Sequence, residues 1–113
     1  MPYIVTKTNV PISDLQEERI RHLLGKAIEV VPGKSEKWLM LEFEEKKHMA
    51  FAGDNGACAM IQVVAYGNAP AIAYEQLTQK ITQIISEELS IEPSRIYVAY
   101  SETDIWGWSG HNF

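Results

Sequence analysis

Cysteine is nearly absent from this sequence, since Cys58 is the only one among 113 residues. A disulfide within the chain is therefore impossible, and a metal site built from several cysteines is excluded. Cys58 is interpreted as a small buried hydrophobic residue. His22, His48 and His111 do not follow the spacing of metal ligands, so we expect them on the surface or in loops, and we expect no metal site.

Positive charge is also scarce. The sequence has 10 Lys and Arg against 15 Asp and Glu, which gives a formal net charge of −5. Proteins that bind nucleic acid generally present a basic patch, so nucleic acid is not an expected partner. One local cation can still outweigh a diffusely acidic surface, and an anionic small substrate is therefore compatible with this composition.

Long apolar runs are missing as well. No segment has the length and apolarity of a membrane span, and no charged-then-apolar leader begins the chain. We therefore expect no membrane association and predict the cytoplasm as the compartment. The length, with 46% hydrophobic and 22% charged residues, predicts a single soluble domain over residues 1–113.

Four main strands are predicted from runs of β-branched and aromatic residues. They are residues 2–8, 37–45, 57–66 and 96–100. In the second strand, alternation predicts Trp38, Met40 and Glu42 on one side. The other side then carries Leu39, Leu41 and Phe43, and this largely apolar run predicts burial on both faces or cover by another subunit. A further short strand is predicted over residues 48–51.

Two amphipathic helices are predicted between these strands. The first begins at Ser13, where Gln16 completes a capping box, and it ends at Pro32-Gly33. Its predicted buried stripe is Leu15, Arg19, Leu23, Leu24, Ala27, Ile28 and Val31. The second begins at Pro70 and ends near Ser90. Its predicted stripe is Leu77, Ile81, Ile84, Ile85 and Leu89.

The chain thus follows a strand–helix–strand order twice. Strands within one such unit run parallel, with a right-handed crossover. The predicted fold class is α/β (α+β), with two βαβ repeats forming a four-stranded mixed sheet that has two helices on one face. The strands look apolar on both sides, and a symmetric oligomer would cover the remaining face.

Several short motifs occur in one order along the chain. They are Met1-Pro2, Asn9-Val10-Pro11, Gly33-Lys34, Met49-Ala50-Phe51, Cys58-Ala59, Ser94-Arg95-Ile96-Tyr97 and Gly107-Trp108. As an ordered set from Pro2 to Phe113, they resemble the macrophage migration inhibitory factor family of the tautomerase superfamily. No single motif is specific, but their order is.

This resemblance implies a homotrimer whose three sheets form a central barrel, with active sites between subunits. It also implies that Met1 is removed and that the secondary amine of Pro2 is the catalytic base. An α-amino group titrates near ~7.7–8.0, and burial lowers that value, which suits proton transfer at neutral pH. The implied reaction is keto–enol tautomerisation of a small aromatic 2-keto acid such as phenylpyruvate, or of dopachrome, without a cofactor.

The resemblance also assigns the substrate-binding residues. Lys34 would hold the substrate carboxylate, Tyr66 would make a backbone contact, and Tyr97 would come from a neighbouring subunit. The aromatic wall would consist of Trp38, Trp108 and Phe113. Each residue also has a simpler interpretation: Lys34 as a lysine at a helix C-terminus, and the aromatics as core or interface residues.

Two departures from the family bear on function. Ala99 stands where animal members have an asparagine that contacts substrate, which puts the substrate range in question. Cys58-Ala59-Met60-Ile61 replaces a Cys-x-x-Cys pair, so a dithiol redox activity is not expected.

An isomerase is the leading prediction for function. The alternative is a non-catalytic, cytokine-like binding protein, with secretion that needs no signal peptide. A third reaction class, decarboxylation or dehalogenation, would need an additional arginine or acid near Pro2.

Overall fold

The computed structural model describes all 113 residues, and its main elements follow the predicted order. The strands are β1 (Pro2–Thr8), β2 (Met40–Glu44), β3 (Ala59–Tyr66) and β4 (Ile96–Thr103), followed by a short hairpin of β5 (Gly107–Trp108) and β6 (His111–Asn112). The helices are α1 (Asp14–Ala27) and α2 (Ala71–Leu89), with 3-10 turns at Ile28–Val30, Glu36–Trp38 and Pro93–Arg95. Neither helix has the length and apolarity that crossing a membrane requires.

The four main strands form one mixed sheet in the order β2-β1-β3-β4. β1 runs parallel to β2, and β3 runs parallel to β4. β1 and β3 join the two repeats as an antiparallel pair, with Pro2 opposite Ala65 and Thr8 opposite Ala59. The predicted fold class is therefore confirmed. β2 and β4 are the two edges of the sheet.

Both helices pack on the same face of this sheet. Ile4 of β1 and Ile61 and Val63 of β3 are fully or almost fully buried on that face, in one cluster with residues of both helices. The buried helix residues in this cluster are Ile20, Leu24, Ala27, Leu77, Ile81, Ile85 and Leu89. The stripe predicted for α2 is confirmed, except that Ile84 is half-buried. Cys58 is buried, as predicted.

The stripe predicted for α1 is partly wrong. The capping box of Ser13 and Gln16 is present, but Leu15 is 58% and Leu23 is 37% exposed, whereas Ile20 is fully buried. Leu15, Arg19 and Leu23 lie four residues apart and form a row on the helix surface. This row lies beside the buried row that contains Ile20 and Leu24. Arg19 in this row pairs with Glu88 of α2 at 2.8 Å, so the row lies at the rim of the helix pair.

Two strand predictions also need correction. β2 begins at Met40, and the preceding residues form a 3-10 turn in which the Trp38 and Leu39 amides donate to the carbonyls of Ser35 and Glu36. Trp38 is therefore not part of the sheet, contrary to the prediction. The strand predicted over residues 48–51 is only an isolated bridge between Phe51 and Asp54.

The sheet face that carries no helix is less apolar than the alternation predicted. Charged and amide side chains, including Lys7, Glu42 and Gln62, share it with apolar ones such as Val5 and Met40. The Tyr3 hydroxyl on this face donates a hydrogen bond to Glu42. A neighbouring copy would meet a mixed surface here, with apolar contacts interrupted by polar groups.

Candidate active site

A tight turn after α1 determines where Lys34 lies. The Lys34 amide donates to the Val31 carbonyl at 3.1 Å, with Pro32 and Gly33 at the two central positions. Gly33 has a φ of +78°, which is the left-handed conformation that a type II turn requires at its third residue. The Pro-Gly pair therefore directs the chain from the end of the helix towards the sheet.

Lys34 contacts the end of β3 that lies beside the chain's first residues. Its half-buried ammonium donates to the Tyr66 carbonyl at 3.0 Å, and the Tyr66 amide donates to the Met1 carbonyl at 3.1 Å. The adjacent residue of β3, Ala65, pairs with Pro2, which is buried. Tyr66 thus joins the lysine to the first two residues through its two backbone groups.

Burial and charge disfavour protonation at this position. Burial lowers the pKa of the Met1 α-amino group, and the nearby positive charge of Lys34 lowers it further. Burial also lowers the pKa of Lys34, while the carboxylate of Glu102 acts in the opposite direction and raises it. The Met1 α-amino group therefore loses its proton more readily than an ordinary α-amino group.

Aromatic rings from three segments form a wall next to Lys34. Trp38 meets Trp108 edge to face at 5.2 Å between ring centroids. Trp108 stacks with Phe113 at 6.2 Å, and Phe113 packs on Tyr66 at 5.6 Å. The hairpin β5–β6 brings Trp108 here. Trp108 and Phe113 remain 52% and 53% exposed, so the wall is open on one side in the single chain.

The structure thus brings together six of the predicted site residues and leaves one apart. The six are Pro2, Lys34, Trp38, Tyr66, Trp108 and Phe113. Tyr97 pairs with Met60 at the start of β4, whereas Tyr66 pairs with Thr103 at its end. At ~3.3 Å per residue, this separation amounts to roughly 20 Å along the strands. Tyr97 of the same chain therefore lies at the far end of the sheet from Lys34.

Sequence reasoning missed Glu102. Its carboxylate accepts hydrogen bonds from the Tyr74 hydroxyl at 2.6 Å and the Ala69 amide at 3.1 Å. Burial and this hydrogen bond raise the pKa of Tyr74 well above its usual value, so Tyr74 remains a donor. Glu102 pairs with Ala65, the partner of Pro2. The strand register could have indicated that Glu102, Ala65 and Pro2 lie in one row across the sheet, but no local motif includes Glu102.

Of the three histidines, His111 pairs with Trp108 in the β5–β6 hairpin, whereas His22 lies on α1 and His48 in the loop after β2. His22, His48 and His111 are all exposed, in agreement with the prediction for them. No three His, Cys, Asp or Glu side chains are grouped so that they could hold a metal ion.

Chemically, the cluster combines a cation, an amine of lowered pKa and an aromatic wall. A planar aromatic molecule could lie against Trp108 and Phe113 while its carboxylate reaches Lys34. The amine could then exchange a proton with a carbon atom near that carboxylate. The class of protein that this arrangement defines is one with an amino-terminal site on a doubled β-α-β sheet.

The comparisons with known proteins agree with this class. The family described as macrophage migration inhibitory factor (MIF) matches residues 1–113, and the chain belongs to this family. The MIF2 structure from Leishmania major is 29% identical, with a TM-score of 0.94 over 100% of this chain and 97% of that one. A MIF homologue from Prochlorococcus marinus is 24% identical, with a TM-score of 0.84 over 98% of both chains. A MIF-like protein from Entamoeba histolytica is 19% identical, with a TM-score of 0.87 over 99% and 98%.

Membership of the MIF family confirms the resemblance that the sequence motifs indicated. It supports a function of the MIF type, either as a tautomerase or in a cytokine-like role. The two structures that are less than 25% identical support the fold alone.

Proposed function

We propose that this protein is a cofactor-independent keto–enol tautomerase of phenylpyruvate-type carboxylic acids, with Pro2 as its base after removal of Met1. One observation supports this most directly. Tyr66 links Lys34 to the first residues, and burial together with the smaller effect of the Lys34 charge lowers the pKa of the Met1 α-amino group. The cation that would bind the substrate carboxylate therefore also favours the basic form of the amine.

Removal of Met1 changes two groups in this site. The nitrogen of Pro2 is an amide while Met1 is attached, and its lone pair is delocalised into the Met1 carbonyl, so it is not basic. Without Met1 it is a secondary amine. The Tyr66 amide, which donates to the Met1 carbonyl at 3.1 Å, then becomes a free donor. It can bind a carboxylate oxygen beside the ammonium of Lys34.

In the proposed reaction, Pro2 takes a proton from the carbon next to the keto group. The electron pair of the broken C–H bond moves to the keto oxygen, and Tyr97 or a water molecule stabilises the charge there. The protonated amine then gives its proton to that oxygen, which completes the enol and leaves Pro2 neutral. The reverse direction follows the same steps. The substrate ring would lie against Trp38, Trp108 and Phe113.

Tyr97 can take part in the reaction only if a second copy of the chain brings it to the site of Pro2 and Lys34. Tyr97 is 60% exposed at the far end of the sheet from Lys34. It lies on edge strand β4, and β2 is the other free edge. A homotrimer, the usual assembly of MIF-family proteins, would let the edge of one sheet meet the site of the next. We therefore propose a homotrimer with sites between subunits.

Comparison of the Met1-retained and Met1-removed proteins in a phenylpyruvate enol–keto assay tests the proposal. Intact mass identifies each form. A general base contributes about 10²- to 10⁴-fold to the rate, and we expect a difference of that size in favour of the form without Met1. Pro2→Gly without Met1 keeps an amine but loses the ring's fixed geometry, and should be slowed severely without being inactive.

Circular dichroism and light scattering provide the controls for this comparison. Both Met1 forms should have the same spectrum and the mass of three chains, because the change adds one residue at the start of a strand. Equal activity in the two forms would exclude the amino-terminal base, and no activity in either form would favour the non-catalytic, cytokine-like function. A monomer at micromolar concentration would contradict the trimer.

A further inference from the structure

The loop between β2 and β3 contains a tight turn of rigid geometry. The Phe51 amide donates to the Asp54 carbonyl at 2.9 Å, and the Asp54 amide donates back to the Phe51 carbonyl at 3.1 Å. The two residues between them have φ values of +53° at Ala52 and +79° at Gly53, as in a two-residue type I′ turn. Phe51 is therefore held at the base of a closed turn.

Arg95 ties this turn to the start of β4. Its Nε donates to the Ala57 carbonyl at 2.8 Å, and its Nη2 lies 3.2 Å from both the Asp54 and Gly56 carbonyls. Its Nη1 lies 3.7 Å from the Asp54 carboxylate. These bonds occupy most of the guanidinium's donors and orient its plane. The centre of the guanidinium lies 5.2 Å from the centroid of the Phe51 ring.

Phe51 also contacts Tyr97. Their ring centroids are 5.1 Å apart with an interplanar angle of 57°. No hydrogen bond within the chain involves the Tyr97 hydroxyl, and the residue is 60% exposed. The ring of Tyr97 is therefore supported by Phe51 while its hydroxyl is left available.

We infer that Phe51, supported by Arg95, is a positioning residue for Tyr97. This inference rests on the proposed function, in which Tyr97 serves the site of a neighbouring subunit. An exposed tyrosine in a strand has two common χ1 rotamers, and the Phe51 ring favours the one that it contacts. Phe51 itself need not touch the substrate, because it acts through the direction of the tyrosine hydroxyl.

A double-mutant cycle in the phenylpyruvate assay tests this inference. Phe51→Leu removes the ring, and Tyr97→Phe removes the hydroxyl but keeps the ring. An aromatic pair of this kind corresponds to about a two- to tenfold effect. We expect Phe51→Leu to lower kcat by that factor with little change in KM, and to have no further effect when Tyr97→Phe is already present. Phe51→Tyr, which keeps a ring, should retain the wild-type rate.

Phe113→Leu is the matched control. Phe113 belongs to the aromatic wall on the other side of the site, so its loss should reduce activity by the same factor with and without the Tyr97 hydroxyl. An equal loss for Phe51→Leu in both backgrounds would overturn the positioning role. A wild-type rate for Tyr97→Phe in an active enzyme would also overturn it, because no tyrosine would then need positioning.

Two further measurements keep the test decisive. If Phe51→Leu does not fold, Arg95→Lys takes its place in the cycle, because it keeps the charge but cannot hold the turn's carbonyls in the same way. If the protein without Met1 is inactive, the proposed function fails, and NMR relaxation of the Tyr97 ring judges the positioning separately. Greater ring motion in Phe51→Leu than in wild type supports positioning, and unchanged motion overturns it.

Discussion

The two β-α-β repeats share one topology but differ in how the chain returns from helix to strand. In the first repeat, residues 28–39 connect α1 to β2 and contain two 3-10 turns. In the second, residues 90–95 connect α2 to β4 with a single 3-10 turn. The longer connection carries Lys34 and Trp38, whereas the shorter one carries Arg95, which binds backbone carbonyls of a loop.

This difference explains how a doubled framework would carry the proposed site only once per chain. In both halves a helix buries an apolar stripe on the same face of the sheet, because each must cover the same kind of surface. The connections are free of that constraint, since loops run over the surface and tolerate changes in length. The proposed site therefore uses the connection of the first repeat and the tail that follows the second.

The largest effects are expected where the repeats are equivalent. Ile20 of α1 and Ile81 of α2 are both fully buried, so Ile20→Ala and Ile81→Ala should each lower the free energy of unfolding by about 2–5 kcal/mol. Leu15→Ala in the exposed row of α1 should change it by about 0.5 kcal/mol or less. Urea denaturation measures all three. A cost for Leu15→Ala as large as that for Ile20→Ala would mean that the exposed row is buried in the assembly.

The next largest effect is expected on substrate binding, from Lys34 in the longer connection between α1 and β2. A hydrogen bond to a charged group is worth about 1.5–3 kcal/mol, so Lys34→Ala should raise the KM for phenylpyruvate about tenfold or more. Lys80→Ala, which removes an exposed cation from α2 in the second repeat, should leave KM unchanged. Steady-state kinetics on both variants compare the repeats directly. An unchanged KM for Lys34→Ala would show that another cation binds the carboxylate.

The aromatic wall should contribute less. Trp38 lies in the longer connection and meets Trp108 of the tail at 5.2 Å. Trp108→Ala removes this contact and the stack with Phe113, and an aromatic pair is worth about 0.5–1.5 kcal/mol. We expect kcat/KM for phenylpyruvate to fall about two- to tenfold. A loss just as large for pyruvate, which has no ring, would contradict a wall that binds the substrate ring.

The smallest effect is a shift in titration. The α-amino group of Met1-retained protein has a lowered pKa, first from burial and then from Lys34. Lys34→Met should raise this pKa towards its ordinary value, and NMR titration of the amine would measure the change. Because the folded pKa lies below the unfolded one, this group contributes stability above the unfolded pKa that is lost as pH falls through the folded pKa. Lys34→Met should make the free energy of unfolding depend less on pH through this group. An unmoved pKa would mean that burial alone causes the shift.

Much of the fold could be predicted because its signals are local. The Ser13 capping box, the Pro32-Gly33 turn and the end of α2 near Ser90 each involve residues a few positions apart, and each is present. Fewer features of the candidate site could be predicted from local signals. The resemblance indicated its residues, but only the register of β3 and β4 places Tyr97 at the far end of the sheet and Glu102 in the row of Pro2.

Local patterns along the chain were enough to predict the order of the elements, the boundaries of the helices to within a few residues and the family, because capping, turn chemistry and ordered motifs depend on neighbours along the chain. Which face of α1 is buried depends instead on tertiary contacts, since Ile20 and Leu15 are both large apolar residues and differ in what packs against them. Tertiary contacts also explain why Trp38 lies outside the sheet, where it packs against Trp108. These outcomes depend on contacts between residues far apart in sequence, and local patterns do not encode such contacts.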